Sequence, residues 1–352
     1  MKVQKNKMAK KEITKKQPLE DLVKELNKEL KTESPVQVAS SSKGLDIPRL
    51  RTGSLTYDIC TGGGFPFGRN TVLYGAESSG KTTVALMAVA QFFKTDDKRA
   101  ILIVDAEYAF DKNYALKLGA DENRMIIIQP DHIGQAAPVL KYLLEKNAIG
   151  AYIIDSIAAL MPLSVIENET DASNIGKHAQ AIGNMFKQSN GLTGRNKVAG
   201  IWINQIRDKI GGYGGGISLP AGHAPKFYAS IMIKVMRGSK VKNDDGSYTN
   251  QGWIRVEKNK TFPPYQEGKY DMEHGSGISL SSEVRDYGIE SGVIYKKGNS
   301  FYYDETFEND IDKSKDHVFI GKSKDAAKEF LEENVDFTEQ LSNIILKTYI
   351  NK

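Results

Sequence analysis

The sequence predicts an α/β fold built around a largely parallel central sheet, with an amphipathic helix before it and a small α/β domain after it. Three observations predict this. Four apolar runs, at residues 70–74, 100–104, 150–154 and 198–203, have the length of buried strands, and the first three suit a sheet covered on both faces. Stretches with helical spacing separate them, the alternation that parallel strands joined by crossover helices require. The first run leads straight into a glycine-bounded turn and then a helical stretch beginning near Thr83.

Composition sets the outer bounds. The chain has 352 residues, 40% of them hydrophobic, enough to bury a full core. Its formal charge of +4 permits a polyanionic partner without requiring one. A single cysteine, Cys60, rules out an intrachain disulfide and points to a reducing cytoplasm. Cys60 itself reads as a small core residue rather than a nucleophile. No stretch approaches the ~20 apolar residues of a membrane span, and no apolar run follows the first lysines as a signal peptide requires. The sequence therefore predicts a protein with no membrane partner.

Residues 1–45 read as a tail, a helix and a linker. Residues 2–16 hold seven lysines and one acid, Glu12, a composition that does not fold alone. A solvated tail and a polyanion-attracting tail are equally open. After Pro18, the residues Leu19, Leu22, Val23, Leu26 and Leu30 follow helical spacing. Ser34-Pro35 and Ser40-Ser41-Ser42 then form a linker, so this helix can dock on a neighbouring subunit or on its own core. Residues 46–285 carry the strand and helix alternation. Residues 286–352 change to short polar segments, the aromatic run Phe301-Tyr302-Tyr303 and a helical pattern through Phe330 and Leu341.

Gly75-Ala76-Glu77-Ser78-Ser79-Gly80-Lys81-Thr82, followed by Thr83, matches the P-loop pattern and stands between a strand and a helix, where that pattern has a mechanism. Glycines let backbone N–H groups turn inward around a phosphate, Lys81 can bridge phosphate oxygens, and the Thr82 hydroxyl suits Mg²⁺. In an open α/β sheet, ligands sit beyond the carboxyl ends of the strands, so polar residues ending the other runs should converge on this turn. Three runs end that way: in Asp105-Ala106-Glu107, in Asp155-Ser156 and in Asn204-Gln205. Asp155 reads as the carboxylate holding Mg²⁺, or alternatively as an N-cap for residues 156–160. Glu107 is the candidate general base, with Asp105 as the competing choice. Gln205 suits a group that contacts a terminal phosphate and passes its presence into the next segment.

That next segment, residues 207–222, holds six glycines together with Arg207, Lys209, Ile210, Tyr213, Ile217 and Leu219. Gly211, Gly212 and Gly222 are among those glycines. The loop offers cations and backbone N–H groups to phosphates and apolar or aromatic surface to unstacked bases. The plain alternative is a flexible surface connection. A second loop, residues 167–176 including Ile175 and Gly176, follows Asp155 in the same way but carries Glu167, Glu169 and Asp171.

Taken together, these residues resemble the bacterial RecA family. The resemblance rests on Thr52-Gly53-Ser54-Leu55, the P-loop, Asp105-Ala106-Glu107, Gln129-Pro130-Asp131, residues 155–160, Asn204-Gln205-Ile206-Arg207 and Lys226-Phe227-Tyr228-Ala229-Ser230, in order over residues 52–283. It implies a RecA-like P-loop NTPase core that uses ATP and Mg²⁺. The implied partners are single-stranded DNA, homologous double-stranded DNA, further copies in a helical filament, and single-strand-binding and loader proteins. The implied location is the cytoplasm of a bacterial cell or a phage-infected host. By position, Glu107 resembles the family's water-activating glutamate, Gln205 its γ-phosphate sensor, and Asp111 with Tyr114 its adenine-side contacts. Residues 167–176 and 207–222 fall at the two DNA loops. Lys226 and Phe227 resemble the coupling to the subunit interface, Lys258 and Lys260 the pair reaching the neighbour's γ-phosphate, and the 19–30 helix the one packed on a neighbour.

The sequence departs from the family at several points. Ser281 stands where the pattern has a tyrosine enclosing the nucleotide from the neighbouring subunit. The 207–222 loop is one residue shorter, and no long acidic tail follows Lys347. Two rivals share the fold: a ring helicase, and an ATP-gated DNA-binding regulator or adaptor.

Overall fold

The computed structural model describes residues 18–31, 36–41, 47–95, 97–167, 173–208, 217–242, 248–273, 275–303 and 317–351. Residues 1–47 and 48–352 are separate compact units. In the first, helix α1 (Leu19–Leu30) leaves Leu19, Leu22, Leu26 and Leu30 exposed. The Asn27 side chain exchanges two 2.7 Å hydrogen bonds with the Val36 backbone, nine positions later.

The second unit begins with β1 (Arg49–Leu50), α2 (Leu55–Thr61), β2 (Phe65–Pro66), β3 (Arg69–Gly75), α3 (Lys81–Phe93) and β4 (Ala100–Asp105). There follow α4 (Lys112–Lys117), β5 (Met125–Ile128), α5 (Ile133–Glu145), β6 (Ile149–Asp155), α6 (Leu163–Ile166), α7 (Ser173–Arg195) and β7 (Ala199–Gln205). The short strands β8 (Arg207–Asp208) and β9 (Ile217–Ser218) precede α8 (Ala224–Tyr228), β10 (Ile231–Lys242), β11 (Tyr248–Asn259), β12 (Glu267–Glu273) and β13 (Gly277–Ile278). The chain closes with α9 (Leu280–Ser291), β14 (Ile294–Lys297), β15 (Ser300–Tyr303), β16 (Val318–Gly321), α10 (Lys324–Glu333) and α11 (Val335–Ile350).

The main sheet has nine described strands in the order β13-β12-β11-β10-β3-β7-β6-β4-β5. From β10 to β5 every pairing is parallel, as the apolar runs predict. β11, β12 and β13 continue it antiparallel from β10, an extension that the sequence reading did not foresee. One apolar cluster lies between the sheet and α3; another lies under α5 and α7 on the opposite face. Helix α3 is buried nearly all round, from Val84 to Phe92, because sheet and neighbouring elements cover it on every side.

A buried polar hub sets the centre of the second cluster. Asn70 Oδ1 accepts from Tyr152 Oη at 2.7 Å and from Trp202 Nε1 at 3.0 Å, while its amide donates to Asn190 at 3.1 Å. Each buried donor thereby finds an acceptor, which removes the cost of desolvating it. Phe186 stacks on Trp202 at 3.8 Å and ties α7 to β7.

A third cluster joins Leu55 of α2 and Val284 of α9 to Ile294, Phe301, Ile320, Leu331 and Leu341 beneath the three-stranded sheet β14-β15-β16. Glu283 clamps this region to the core. Fully buried, it accepts from Ser54 Oγ at 2.7 Å and from the Leu55 and Thr56 amides at 2.8 and 3.1 Å, capping the start of α2.

Three local expectations are corrected. The helix after the P-loop starts at Lys81 rather than near Thr83. Residues 173–176, read as the end of a loop, are the first turn of α7. The ends of the 207–222 loop pair as the β8–β9 hairpin, Arg207 opposite Ser218 and Asp208 opposite Ile217.

Candidate functional site

The site starts where β3, central in the sheet, runs out. A Cβ at Gly75 would lie 2.1 Å from the Val235 carbonyl oxygen, so only glycine lets β3 and β10 meet there. The chain then turns through residues 76–80 and enters α3 from Gly80, whose φ of +92° is a conformation that L side chains rarely adopt. Lys81 is buried in the turn it follows. Its ammonium donates to the carbonyls of Ala76 at 2.6 Å and Gly75 at 3.2 Å and to Ser79 Oγ at 3.4 Å. Burial lowers the Lys81 pKa, while Asp155, Glu107 and Glu77 oppose that shift. A buried cation held by neutral oxygens, beside a helix N-terminus, is a cradle for a phosphate.

The carboxylates come from neighbouring strand ends. Asp155 closes β6 and accepts from Thr82 Oγ1 at 2.7 Å. Burial pushes Asp155 up to about 6; Thr82 opposes this, Glu107 and Asp105 add to it, and Lys81 opposes it. Residues 157–159 form a turn rather than a helix, so the N-cap reading of Asp155 falls. The hard oxygens of Thr82 and Asp155, in a field of crowded carboxylates, fit a divalent cation such as Mg²⁺. Among the described residues no group of three or more His, Cys, Asp or Glu side chains gathers around a metal position. That sparse set suits Mg²⁺, which keeps water and substrate phosphates as its other ligands.

Glu107 and Asp105 differ sharply in surroundings. Glu107 Oε1 accepts from Ser156 Oγ and, at 2.7 Å, from Gln205 Nε2. Asp105 is buried and occupied: it accepts from the Ala109 and Phe110 amides at 3.1 and 3.0 Å and from Gln129 Nε2 at 2.9 Å. Glu107 lines the cavity and Asp105 does not.

That cavity, about 480 Å³, is bounded on one side by residues 77–83, Glu107, Asp155 and Gln205. Its other wall comes from Arg237 of β10 and from the antiparallel extension: Asn250, Gln251, Gly252, Tyr270 and Met272. Sequence reasoning missed this wall. A Cβ at Gly252 would lie 2.4 Å from the Tyr270 ring, so glycine there lets the ring lie across β11. Tyr270 Oη then donates to the Ser79 carbonyl at 3.4 Å, linking β12 to the phosphate turn.

Other expected residues stand elsewhere. Asp111 caps α4, accepting from the Tyr114 amide at 3.0 Å, and Tyr114 Oη reaches Thr83 Oγ1 at 3.3 Å, beside the cavity. Arg207 and Ile217 lie on β8 and β9, Ile175 and Gly176 in the first turn of α7, and Gly222 in the exposed turn before α8. Lys209, Ile210, Gly211, Gly212 and Tyr213 fall outside the described residues. Ser281 is not on an open face: it is buried in α9 beside Ser279 and donates to Glu332 at 3.1 Å.

Lys258 and Lys260 are at the far end of the sheet. Gly252 lines the cavity, and Lys258 stands six positions further along extended β11, about 20 Å. Lys258 Nζ donates to the Lys226 carbonyl, beside the exposed Phe227. Burial, then the neighbouring Lys260 charge, lowers the Lys258 pKa.

The sequence profile of the RecA N-terminal domain matches residues 17–279, most of the chain. The chain belongs to the RecA family. The RecA protein of Porphyromonas gingivalis is 36% identical over 309 residues, 87% of each chain. That of Zymomonas mobilis is 36% identical over 335 residues, 95% of this chain and 90% of its own. The Acidiphilium cryptum RecA is 38% identical over 308 residues, covering 87% and 85%. RecA-family function is homologous pairing and strand exchange. The motifs from Thr52 to Ser230 all fall inside the matched segment; the RecA profile ends before α9 and the sheet β14-β15-β16.

Proposed function

We propose that this RecA-family chain is a DNA-dependent ATPase that assembles as a filament on single-stranded DNA and pairs it with a homologous duplex. The observation that carries the proposal is the hydrogen bond from Gln205 to Glu107. It joins the candidate base of hydrolysis to the last residue of β7, two positions before β8, which precedes residues 209–216 in the chain. A change at the phosphate end is thereby one side chain away from the segment proposed to hold DNA.

ATP with Mg²⁺, when bound, supplies the phosphoanhydride bond and the charge neutralisation for its cleavage. Lys81 and the amides of residues 76–80 hold the phosphates, and Thr82 and Asp155 hold the cation. Glu107 accepts the proton of the attacking water, and Ser156 keeps its carboxylate oriented. Gln205 exchanges Glu107 for a terminal phosphate oxygen and so reports the nucleotide state. Lys258 and Lys260, remote from their own cavity, act on the cavity of an adjacent subunit. Single-strand-binding and loader proteins are the proposed accessory partners.

The test is joint-molecule formation between a labelled oligonucleotide and a supercoiled plasmid, with a non-homologous plasmid as control. Homology-dependent products are expected. Their absence with ATP and accessory proteins present, together with closed hexamers in negative-stain images, would replace this reading with a ring helicase.

A further inference from the structure

Gln129-Pro130-Asp131 lies outside the cavity, yet Gln129 and Asp131 contact Asp105 and Tyr108, on either side of Glu107 in the chain. Glu107 stands two positions past the end of β4, on a turn that leaves the sheet, so its aim depends on how that turn is held. Asp105 closes the turn by accepting from the Ala109 and Phe110 amides. Gln129 Nε2 fixes the Asp105 carboxylate from the β5 side at 2.9 Å.

Tyr108, next to Glu107, has φ of 56°, a left-handed backbone uncommon for a bulky residue. The residue is 56% exposed, so burial does not hold it there. Hydrogen bonds do: the Tyr108 hydroxyl lies 2.8 Å from Asp131 Oδ1 and 3.2 Å from the Gln129 carbonyl. Asp131 is itself anchored. Its amide donates to Gln135 Oε1 at 2.8 Å, Gln135 Nε2 returns to Asp131 Oδ2 at 3.4 Å, and Pro130 between the two bracing residues is buried.

We propose that Gln129, Asp131 and Tyr108 are positioning residues that brace the turn at 106–109, so that Glu107 stays aimed into the cavity. The inference rests on the reading of Glu107 as the base. It gives the Gln-Pro-Asp run a task in hydrolysis without contact with the nucleotide.

ATP hydrolysis by the full chain on single-stranded DNA tests the brace. Tyr108→Phe and Asp131→Ala should each lower kcat about 10-fold, as a small misplacement of a reacting group does, with KM for ATP within about twofold. The double variant should be no worse than either single one, because both cut the same contact. Asp131→Asn keeps an oxygen for the Tyr108 hydroxyl and should restore most of the rate. A wild-type kcat for Tyr108→Phe, beside a loss of about 100-fold in Glu107→Gln, overturns the brace and leaves the base standing. Additive losses accompanied by a raised KM and a lowered melting temperature overturn it too, since they describe general loosening. Undiminished turnover in Glu107→Gln overturns the base and the brace together.

Discussion

Asp105 and Glu107 are two positions apart and end in opposite circumstances, because β4 ends at Asp105 and the chain turns through Ala106 before it reaches Glu107, so the strand alternation that would put both on one face no longer holds. Asp105 turns inward to three donors that shape its own loop, whereas Glu107 turns outward to Ser156 and Gln205 in the cavity. Glu107→Gln keeps the size and one acceptor oxygen but cannot take a proton. It should slow DNA-stimulated hydrolysis by roughly 10²-fold or more while nucleotide binding persists. Asp105→Asn should lower the melting temperature and slow turnover less. Single-turnover hydrolysis and thermal melts of both variants decide this, and a reversed order would move the base to Asp105. In the cradle itself, Lys81→Ala removes a buried cation that converges on the phosphate position, and fluorescent nucleotide titration should show productive binding lost.

At the scale of elements, Glu283 of α9 is the joint between the core and the sheet β14-β15-β16. Its carboxylate caps α2, but burial outweighs the three donors and pushes its pKa from 4.5 to about 7. The folded state therefore binds the proton more tightly than the unfolded chain. This group's contribution is constant below about pH 4.5, declines as pH rises through 7 and levels off above it, on the order of 3 kcal/mol in all. Glu283→Gln should flatten the difference in melting temperature between pH 5 and pH 8; an unchanged pH slope would mean the carboxyl titrates normally. The sequence revealed the strands that end in Asp105, Asp155 and Gln205 because apolar runs cut off by polar residues are a local signal. It hid the wall made by Arg237, Gln251 and Tyr270, whose side chains sit mid-strand and meet the P-loop only through cross-strand pairing, Gly252 opposite both Arg237 and Tyr270. The bond from Ser281 to Glu332 was hidden for a related reason: a polar residue in the first turn of α9 carries no mark of a partner 51 positions later.

For the molecule as a whole, the decisive fact is that the phosphate cradle and the Lys258/Lys260 pair occupy opposite ends of one sheet. Parallel strands carry the cradle at their carboxyl ends, while β11 runs antiparallel to β10 and delivers its last residues beside Met232 and Ile231, at the amino end. A lysine about 20 Å along the strand cannot reach its own phosphate site, but head-to-tail stacking would bring it to the next one. Replacing both lysines with alanine should therefore spare nucleotide binding by the isolated subunit and remove DNA-stimulated hydrolysis. Mixing this variant with Glu107→Gln separates a shared site from local damage. Each variant alone has only defective interfaces, yet in a mixed filament some interfaces join an intact Glu107 to intact lysines. With equal amounts and random head-to-tail order these are about a quarter of all interfaces, so turnover should recover toward a quarter of the wild-type rate. Recovery should peak near equal proportions and vanish at either extreme. If no ratio restores activity while both variants still bind nucleotide and co-assemble on DNA, Lys258 and Lys260 do not act across the boundary.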